Sequence, residues 1–310
     1  MDEPAIPWLP VFGYGSHIKA TAKELIIAQG SSSSRYPLGA VEHLLLVGGH
    51  TLHTSAVVNL LKAGSAISFF DIEGKPVGYL RPPGYARDEC IREAQNRAAP
   101  HRYAHAAAVA AAKSRLLFIE KACEASDDAI LYQGEHLLLH QSTGELEHMI
   151  TMAELRRLHR LTADMYYEIL SRMVPGGLGY RRRASRPYRD PVNAMLSLGY
   201  SMLFGNCCVS VIGAHLDPDR GMLHEGAGSL VYDIIEPLKV TMVDRVVLGF
   251  ARELAPEDYE CGLNRCYLAD GCARRLTKAF HASIDQKSID TQVSLLLDAL
   301  MQNREYQVLY

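Results

Sequence analysis

The chain has 310 residues, of which 48% are hydrophobic and 22% charged, and its formal net charge at pH 7 is −3. This length favours two domains, because single cores seldom grow beyond about 250 to 300 residues. The weakly negative charge excludes a uniformly basic coat protein, so nucleic-acid binding would have to depend on local patches. We find no apolar run near the roughly 18 to 20 residues of a membrane helix and no secretory signal in residues 1–10, so we expect a cytoplasmic protein with no membrane partner.

Seven cysteines are scattered along the chain. An odd number of this kind argues against a disulfide framework and is typical of a reducing compartment. The cluster of Cys261, Cys266 and Cys272 lacks the Cys-x-x-Cys pairs of a zinc site. We therefore expect most of the cysteines to be small side chains of the core.

The first 84 residues carry strand signals separated by turns rich in Gly, Ser and Asp. We predict strands at residues 11–19, 24–28, 35–40, 43–47, 66–70 and 76–81. Residues 51–61 have apolar positions at helical spacing and precede Gly64, a residue type that often ends helices. The serine tract at residues 31–34 is expected to form a flexible hairpin loop. Residues 1–84 are therefore predicted to form a β domain with one short helix.

A composition break at Pro82, Pro83 and Gly84 marks the predicted linker. After it, apolar residues recur at helical spacing. We predict helices at residues 88–97, 103–123, 152–172, 191–203, 206–213, 230–252, 270–283 and 290–303. The expected fold class is α+β, with an N-terminal β domain and a C-terminal all-α domain at residues 85–310.

An arginine-rich loop at residues 180–193 is the first candidate functional segment. Two tyrosines accompany five arginines that fall within nine residues. The arginines are Arg181, Arg182, Arg183, Arg186 and Arg189. Arginine forks match phosphate oxygens and tyrosines can stack or donate, so the loop is predicted to bind a nucleic-acid backbone. The alternative is a solvated loop without a partner. Asp190 and Pro191 then predict a helix start.

A second candidate site combines His224 with Asp233 and Glu236. The two carboxylates are three residues apart and share a helix face, and Pro237 should bend the helix at that point. One imidazole and two carboxylates suit Mn²⁺ or Mg²⁺, the ions that organise phosphodiester chemistry. The alternative is a satisfied hydrogen-bond network on a solvated helix face. The arginine loop upstream in the same domain favours the metal site.

At these segments the sequence resembles the CRISPR-associated endonuclease and integrase family, which inserts new spacers into CRISPR arrays. The similarity extends over nearly the whole chain. The motifs that carry it are Asp-Pro-Val-Asn-Ala-Met-Leu-Ser-Leu-Gly-Tyr at residues 190–200, the turn at 216–224, Ser-Leu-Val-Tyr-Asp-Ile-Ile-Glu-Pro at 229–237, and Val243 with Asp244.

The resemblance implies a metal-dependent DNA endonuclease and integrase, in which a DNA 3′ hydroxyl attacks a phosphodiester of the target. It implies Mg²⁺ or Mn²⁺ as the cofactor, His224 and Asp233 as catalytic metal ligands, and Glu236 as a supporting acidic ligand. Asn193 joins the arginines as a predicted DNA contact. The expected partners are DNA duplexes with free 3′ ends, the CRISPR repeat, a second copy of the chain bound as a homodimer through residues 1–84, and a small ferredoxin-like CRISPR-associated subunit.

One position departs from the family pattern. Alignment on Ala163, Tyr166 and Leu170 places His159 where the family has a glutamate ligand, and Arg160 where it has a glycine. His159 is therefore the fourth predicted ligand, and an imidazole there favours Mn²⁺ or softer ions over Mg²⁺. One alternative is a catalytically impaired subunit that binds DNA as a scaffold, with His159 contacting phosphate. A generic metal phosphohydrolase is a third possibility.

Overall fold

The N-terminal part of the computed structural model is a six-stranded mixed sheet, and the structure describes residues 4–125, 130–184, 186–262 and 265–310. The strands are β1 (Leu9–Ala20), β2 (Glu24–Gln29), β3 (Ser32–Pro37), β4 (His43–Leu52), β5 (Ala66–Phe70) and β6 (Pro76–Leu80). They lie in the order β3-β2-β1-β4-β5-β6, with β4 parallel to β1 and β5 and the other pairs antiparallel. Helix α1 (Thr54–Lys62) connects β4 to β5, so the predicted β region with one short helix is confirmed.

Two local predictions in this region are wrong. Residues 32–34 of the serine tract belong to β3, where they pair with residues 27–29 of β2. Thr51 and Leu52 extend β4 instead of starting the helix, because they pair with His17 and Ile18 of β1. In both cases pairing with a neighbouring strand outweighs the local sequence pattern.

Strand β4 is covered on both of its faces, which explains its apolar run. Leu44 and Leu46 lie in a small core with Leu60 of α1. Leu45 and Val47 point to the opposite face, since side chains alternate along a strand, and they join the large core of the helical part. The sheet therefore packs directly on the helices.

The rest of the chain is mostly helical, and the predicted α+β class is confirmed. The helices are α2 (Arg87–Arg97), α3 (Pro100–Glu124), α4 (Glu135–Leu146), α5 (Met152–Arg172), α6 (Pro191–Gly213), α7 (Ser229–Ile235), α8 (Arg245–Glu253), α9 (Asp270–Ser283) and α10 (Gln286–Gln302). The sequence did not predict α4, whose leucines divide between buried Leu139 and Leu146 and exposed Leu137 and Leu138. Such a distribution gives no clear amphipathic stripe.

A short hairpin, β7 (Tyr259–Cys261) and β8 (Cys266–Leu268), was also not predicted. The antiparallel pairing of its strands places Cys261 opposite Cys266, and the two form a disulfide. The expectation of core cysteines without disulfides is therefore wrong for this pair. Cys207, Cys208 and Cys272 are buried and free, as expected for core residues.

Helix α6 is a long apolar helix, and its buried side chains belong to the large core. We expected two helices here, and the structure joins them into one, capped as predicted by Asp190, whose Oδ1 accepts the N–H of Asn193 at 2.7 Å. Contrary to the expectation from the sequence, α6 is long and apolar enough to cross a membrane by length and composition, but 61% of its apolar window is buried inside the protein. Core helices of soluble proteins pass the same test, so this is weak evidence for a membrane span.

Candidate metal centre and nucleic-acid interface

Glu236 lies at a break between two helices. α7 ends at Ile235, residues 236–238 form a turn, and a wide-turn helical segment at Val240–Asp244 then leads into α8. Pro237 cannot donate a backbone hydrogen bond, so the single helix predicted at 230–252 is interrupted where the predicted bend falls. The Glu236 side chain projects from this break into the interior and is only 4% exposed.

Asp233, one turn before Glu236, is fully engaged with the preceding loop. Its carboxylate accepts the backbone N–H groups of Met222, Leu223 and His224 at 2.6, 3.0 and 2.8 Å. It also contacts Nδ1 of the His224 ring at 2.8 Å. This contact orients the imidazole so that its Nε2 lies 3.6 Å from Oε1 of Glu236.

His159 approaches Glu236 from helix α5. Its Nε2 lies 3.6 Å from Oε2 of Glu236, and its ring is nearly perpendicular to that of His224, with centroids 6.0 Å apart. His159, His224 and Glu236 each offer a ligand atom within 4.8 Å of the others. The structure thus brings together three of the four predicted ligands and places Asp233 behind His224.

Two cations flank Glu236, the buried Arg115 and the partly buried Lys239. Arg115 Nη2 lies 2.5 Å from Oε2, and Lys239 Nζ contacts Oε1. Burial alone would raise the pKa of Glu236, but Lys239, His159 and Arg115 outweigh it and hold that pKa well below its usual range. The carboxylate is therefore ionised. Burial lowers the pKa of His159, although the hydrogen bond to Glu236 acts in the opposite direction. The lowered pKa keeps the imidazole of His159 neutral and able to bind a metal.

The donor set fits a divalent ion of intermediate softness. Two imidazoles and one carboxylate suit Mn²⁺, Fe²⁺ or Zn²⁺ better than Mg²⁺, which prefers oxygen ligands. Nδ1 of His159 is buried and has no hydrogen-bond partner in the part of the chain that the structure describes. A cavity of about 240 Å³ lies over the cluster, lined by Arg156, His159, Arg160, Leu223, His224 and Glu225. This space can admit a phosphate group to the cluster.

The arginine loop divides into residues that face outward and residues that hold the loop together. Arg181, Arg182, Arg186 and Arg189 are exposed. Arg183 instead donates to Asn193 Oδ1 at 2.9 Å and to Ser197 Oγ at 2.8 Å.

Asn193 does not lie where a DNA contact would need it. It is 1% exposed, its Oδ1 accepts from the backbone N–H of Ala184 as well as from Arg183, and its Nδ2 donates to Arg182 O and Asp190 Oδ2. This burial contradicts the expectation that Asn193 contacts DNA, because both atoms of its amide are used inside the protein. Arg183 is partly exposed, and its terminal nitrogens bind Asn193 and Ser197. The four exposed arginines are the groups available to a phosphate backbone.

The sequence missed a second layer of residues behind the cluster. Tyr166 and Tyr200 donate their hydroxyls to Asp244 at 2.8 and 2.5 Å, and Asp244 is fully buried. Burial raises the pKa of Asp244 to about 6 despite these donors. The burial of Arg115 could not be predicted, because nothing in its alanine-rich helix indicates a buried cation. Asp244 could have been found, because it belongs to the Val-Asp motif.

An N-terminal mixed sheet packs on a helical region, and that region carries a His-His-Glu cluster and an arginine-rich loop. Together these features define the class of protein. The family model described as CRISPR associated protein Cas1 matches residues 9–282. The chain therefore belongs to the Cas1 family, and the resemblance seen in the sequence motifs is confirmed.

Similar proteins match almost the full length of the chain. The putative CRISPR-associated endonuclease Cas1 2 of Methanospirillum hungatei is 40% identical over 299 residues, which cover 96% of this chain and 99% of that protein. Among solved structures, a casposase bound to integration product has a TM-score of 0.79 at 20% identity and covers 97% of this chain and 98% of that chain. A partial Cas6-RT-Cas1–Cas2 complex has a TM-score of 0.78 at 19% identity and covers 98% of both chains. These two structures share the fold.

Proposed function

We propose that this chain is a metal-dependent DNA endonuclease and integrase that inserts spacer DNA into CRISPR arrays. The observation that carries the proposal is the convergence of His159, His224 and ionised Glu236 below an open cavity. The name of the Methanospirillum relative supports the endonuclease, and the integration product bound by the casposase supports strand transfer.

The proposed reaction is a transesterification. A 3′ hydroxyl of the spacer attacks a phosphodiester of the repeat, the new P–O bond forms as the old one breaks, and the leaving strand keeps a 3′ hydroxyl. Mn²⁺ or Mg²⁺, when bound, supplies activation of the attacking oxygen and neutralises charge that develops on the phosphate.

The residues of the chain have separate roles in this proposal. His159, His224 and Glu236 hold the ion, and Asp233 orients His224 through Nδ1 rather than binding the ion itself, a common arrangement around metal-bound histidines. Arg115 and Lys239 keep Glu236 ionised. With two imidazoles in the set, we expect Mn²⁺ to support more activity than Mg²⁺.

The proposed partners are DNA, a second copy of the chain and a small CRISPR-associated subunit. The exposed arginines of the loop would bind the DNA backbone. The Cas1–Cas2 complex among the structural neighbours supports the small partner. The homodimer is supported by β6, an edge strand with exposed Val77 and Tyr79, since an open apolar edge can receive a strand or a face of another molecule.

The second candidate function is a DNA-binding scaffold that has lost catalysis. One observation favours it: Arg115 and Lys239 already contact both oxygens of Glu236, and His159 supplies no negative charge to balance them. In that case the centre is a closed ion-pair network and the arginine loop alone carries the function.

One experiment separates the two. It compares the wild type with His224→Ala and with a control, His148→Ala. His148 is an exposed histidine between α4 and α5. Each protein is incubated with branched DNA that carries free 3′ ends, in Mn²⁺ or in Mg²⁺. The enzyme proposal expects cleavage or strand transfer by the wild type and His148→Ala but not by His224→Ala. If none of the proteins acts in either ion while all still bind duplex DNA, the scaffold is the correct function.

A further inference from the structure

A second group of metal-type ligands lies between helices α3 and α4. His136 and His140 are one turn apart on α4 and therefore share a helix face, and Glu120 faces them from α3. Glu120 Oε1 lies 2.8 Å from Nε2 of His140 and 3.5 Å from Nε2 of His136. The three ligand atoms all lie within 4.8 Å of one another.

The two histidine nitrogens and the carboxylate oxygen of this group converge on one point. The two Nε2 atoms are only 3.2 Å apart, so two protonated nitrogens would repel each other there. Nε2 of His140 also lies 2.8 Å from Oε1 of Glu120, so all three atoms are directed at the same point. An ion at that point would use all three lone pairs at once.

We propose that Glu120, His136 and His140 form a transition-metal site of the Zn²⁺ class that joins α4 to α3. Two imidazoles and one carboxylate are a known Zn²⁺ ligand set, with solvent completing the tetrahedron. All three side chains are partly exposed, so an ion and a water molecule have access. Mg²⁺ is a poor fit, because it prefers oxygen ligands.

The site would act on the stability of helix α4. Glu135 pairs with Arg172 near the start of α4, and Leu139 and Leu146 bury its inner face, while Leu137 and Leu138 remain exposed. An ion bound to both helices stabilises the folded protein by mass action, because the unfolded chain does not hold the three ligands together. This role does not depend on the chemistry proposed for the His159 centre.

The test compares Zn²⁺ binding by the wild type, His136→Ala/His140→Ala and His101→Ala/His105→Ala. The control pair is also spaced one turn apart, on α3, but Nε2 of His101 contacts the Met149 carbonyl oxygen at 2.8 Å. Zn²⁺ alone is titrated against a chromophoric chelator, and Co²⁺ absorption reports the coordination geometry.

We expect the α4 variant to lose one equivalent of Zn²⁺ that the wild type and the control pair retain, with a dissociation constant of about 1 µM or lower. Zn²⁺ should raise the melting temperature of the wild type and the control by more than that of the α4 variant. Glu120→Gln keeps both histidines and should weaken binding at least tenfold. Equal stoichiometry in all proteins, or binding at millimolar Zn²⁺ only, would overturn the proposal.

Discussion

Oδ1 of Asp233 lies 2.8 Å from Nδ1 of His224, and the same carboxylate accepts three backbone N–H groups of residues 222–224. Glu236, one turn later, instead faces His159 and two cations. The two acids that the sequence placed on one helix face therefore have different environments. Asp233 fixes the loop and the ring, whereas Glu236 points to the centre.

Replacing Asp233 by Asn tests this division of roles. An amide NH₂ facing backbone N–H donors lowers the free energy of unfolding by about 1 to 3 kcal/mol. Loss of the contact to His224 lowers Mn²⁺ affinity by about 10 to 100-fold rather than abolishing it. Unfolding in urea and Mn²⁺ titration measure the two effects.

Asp219→Asn is the matched control for this loop. Asp219 Oδ1 accepts the N–H of Gly228 at 2.7 Å, so its replacement also removes a carboxylate acceptor from the same region. Mn²⁺ affinity should stay at the wild-type value. Complete loss of Mn²⁺ binding in Asp233→Asn would show that Asp233 is a direct ligand.

Replacing His159 by Glu should raise Mg²⁺-dependent activity. The new carboxylate would lie near Arg115, whose positive charge can balance it, and it restores an oxygen ligand that Mg²⁺ prefers. We expect the ratio of Mg²⁺ to Mn²⁺ rates to increase about tenfold or more, which corresponds to roughly 1.4 kcal/mol in the activation barrier. His159→Gln, which is neutral, should not produce this increase, and an equal increase in both variants would contradict the charge argument.

The exposed arginines should contribute separately to DNA affinity. Arg186→Gln and Arg189→Gln should each weaken binding to any duplex sequence and reduce the slope of log affinity against log salt concentration by about 1. Arg183→Gln should instead lower loop stability, because Arg183 binds Asn193 and Ser197. Affinity measured between about 50 and 200 mM salt distinguishes the two kinds of arginine. An unchanged slope in both exposed-arginine variants would indicate a loop that does not contact phosphate.

The sequence predicted which motif residues lie close together, but it did not predict the contacts that support them. The proximity of His224 and Glu236 was predictable because their spacing and Pro237 are local properties of the chain. Arg115 was missed, because its burial against Glu236 depends on how α3 packs, and nothing in an alanine-rich helix indicates that contact. Asn193 was assigned to DNA for the converse reason: a polar residue beside an arginine loop gives no sign that its amide is used internally.

Asp244 should make stability depend on pH between about 4 and 6. Its pKa is raised from 3.8 to about 6 in the folded protein by burial, so the folded state binds a proton that the unfolded state has already lost in this range. The contribution of Asp244 to the free energy of unfolding therefore falls as pH rises, by about 3 kcal/mol at most. Asp244→Asn removes the titration, so the stability difference between wild type and variant should shift across this window and be constant above pH 7. A constant difference from pH 4 to 7 would contradict the raised pKa.

Close packing between the sheet and α6 depends on Gly205. A Cβ added there would lie 1.9 Å from the carbonyl oxygen of Glu73, in the turn between β5 and β6, and a backbone atom cannot move aside as a flexible side chain can. Gly205→Ala should therefore separate this turn from α6 and lower the free energy of unfolding by about 1 to 3 kcal/mol or more.

Gly249 in α8 is the control, because it is exposed and a Cβ there meets open space. Gly249→Ala should stabilise the protein by about 0.5 to 1 kcal/mol, since alanine is the better helix former. Urea unfolding of both variants measures the contrast, and a stabilising effect at both positions would show that the turn does not pack on α6 as described.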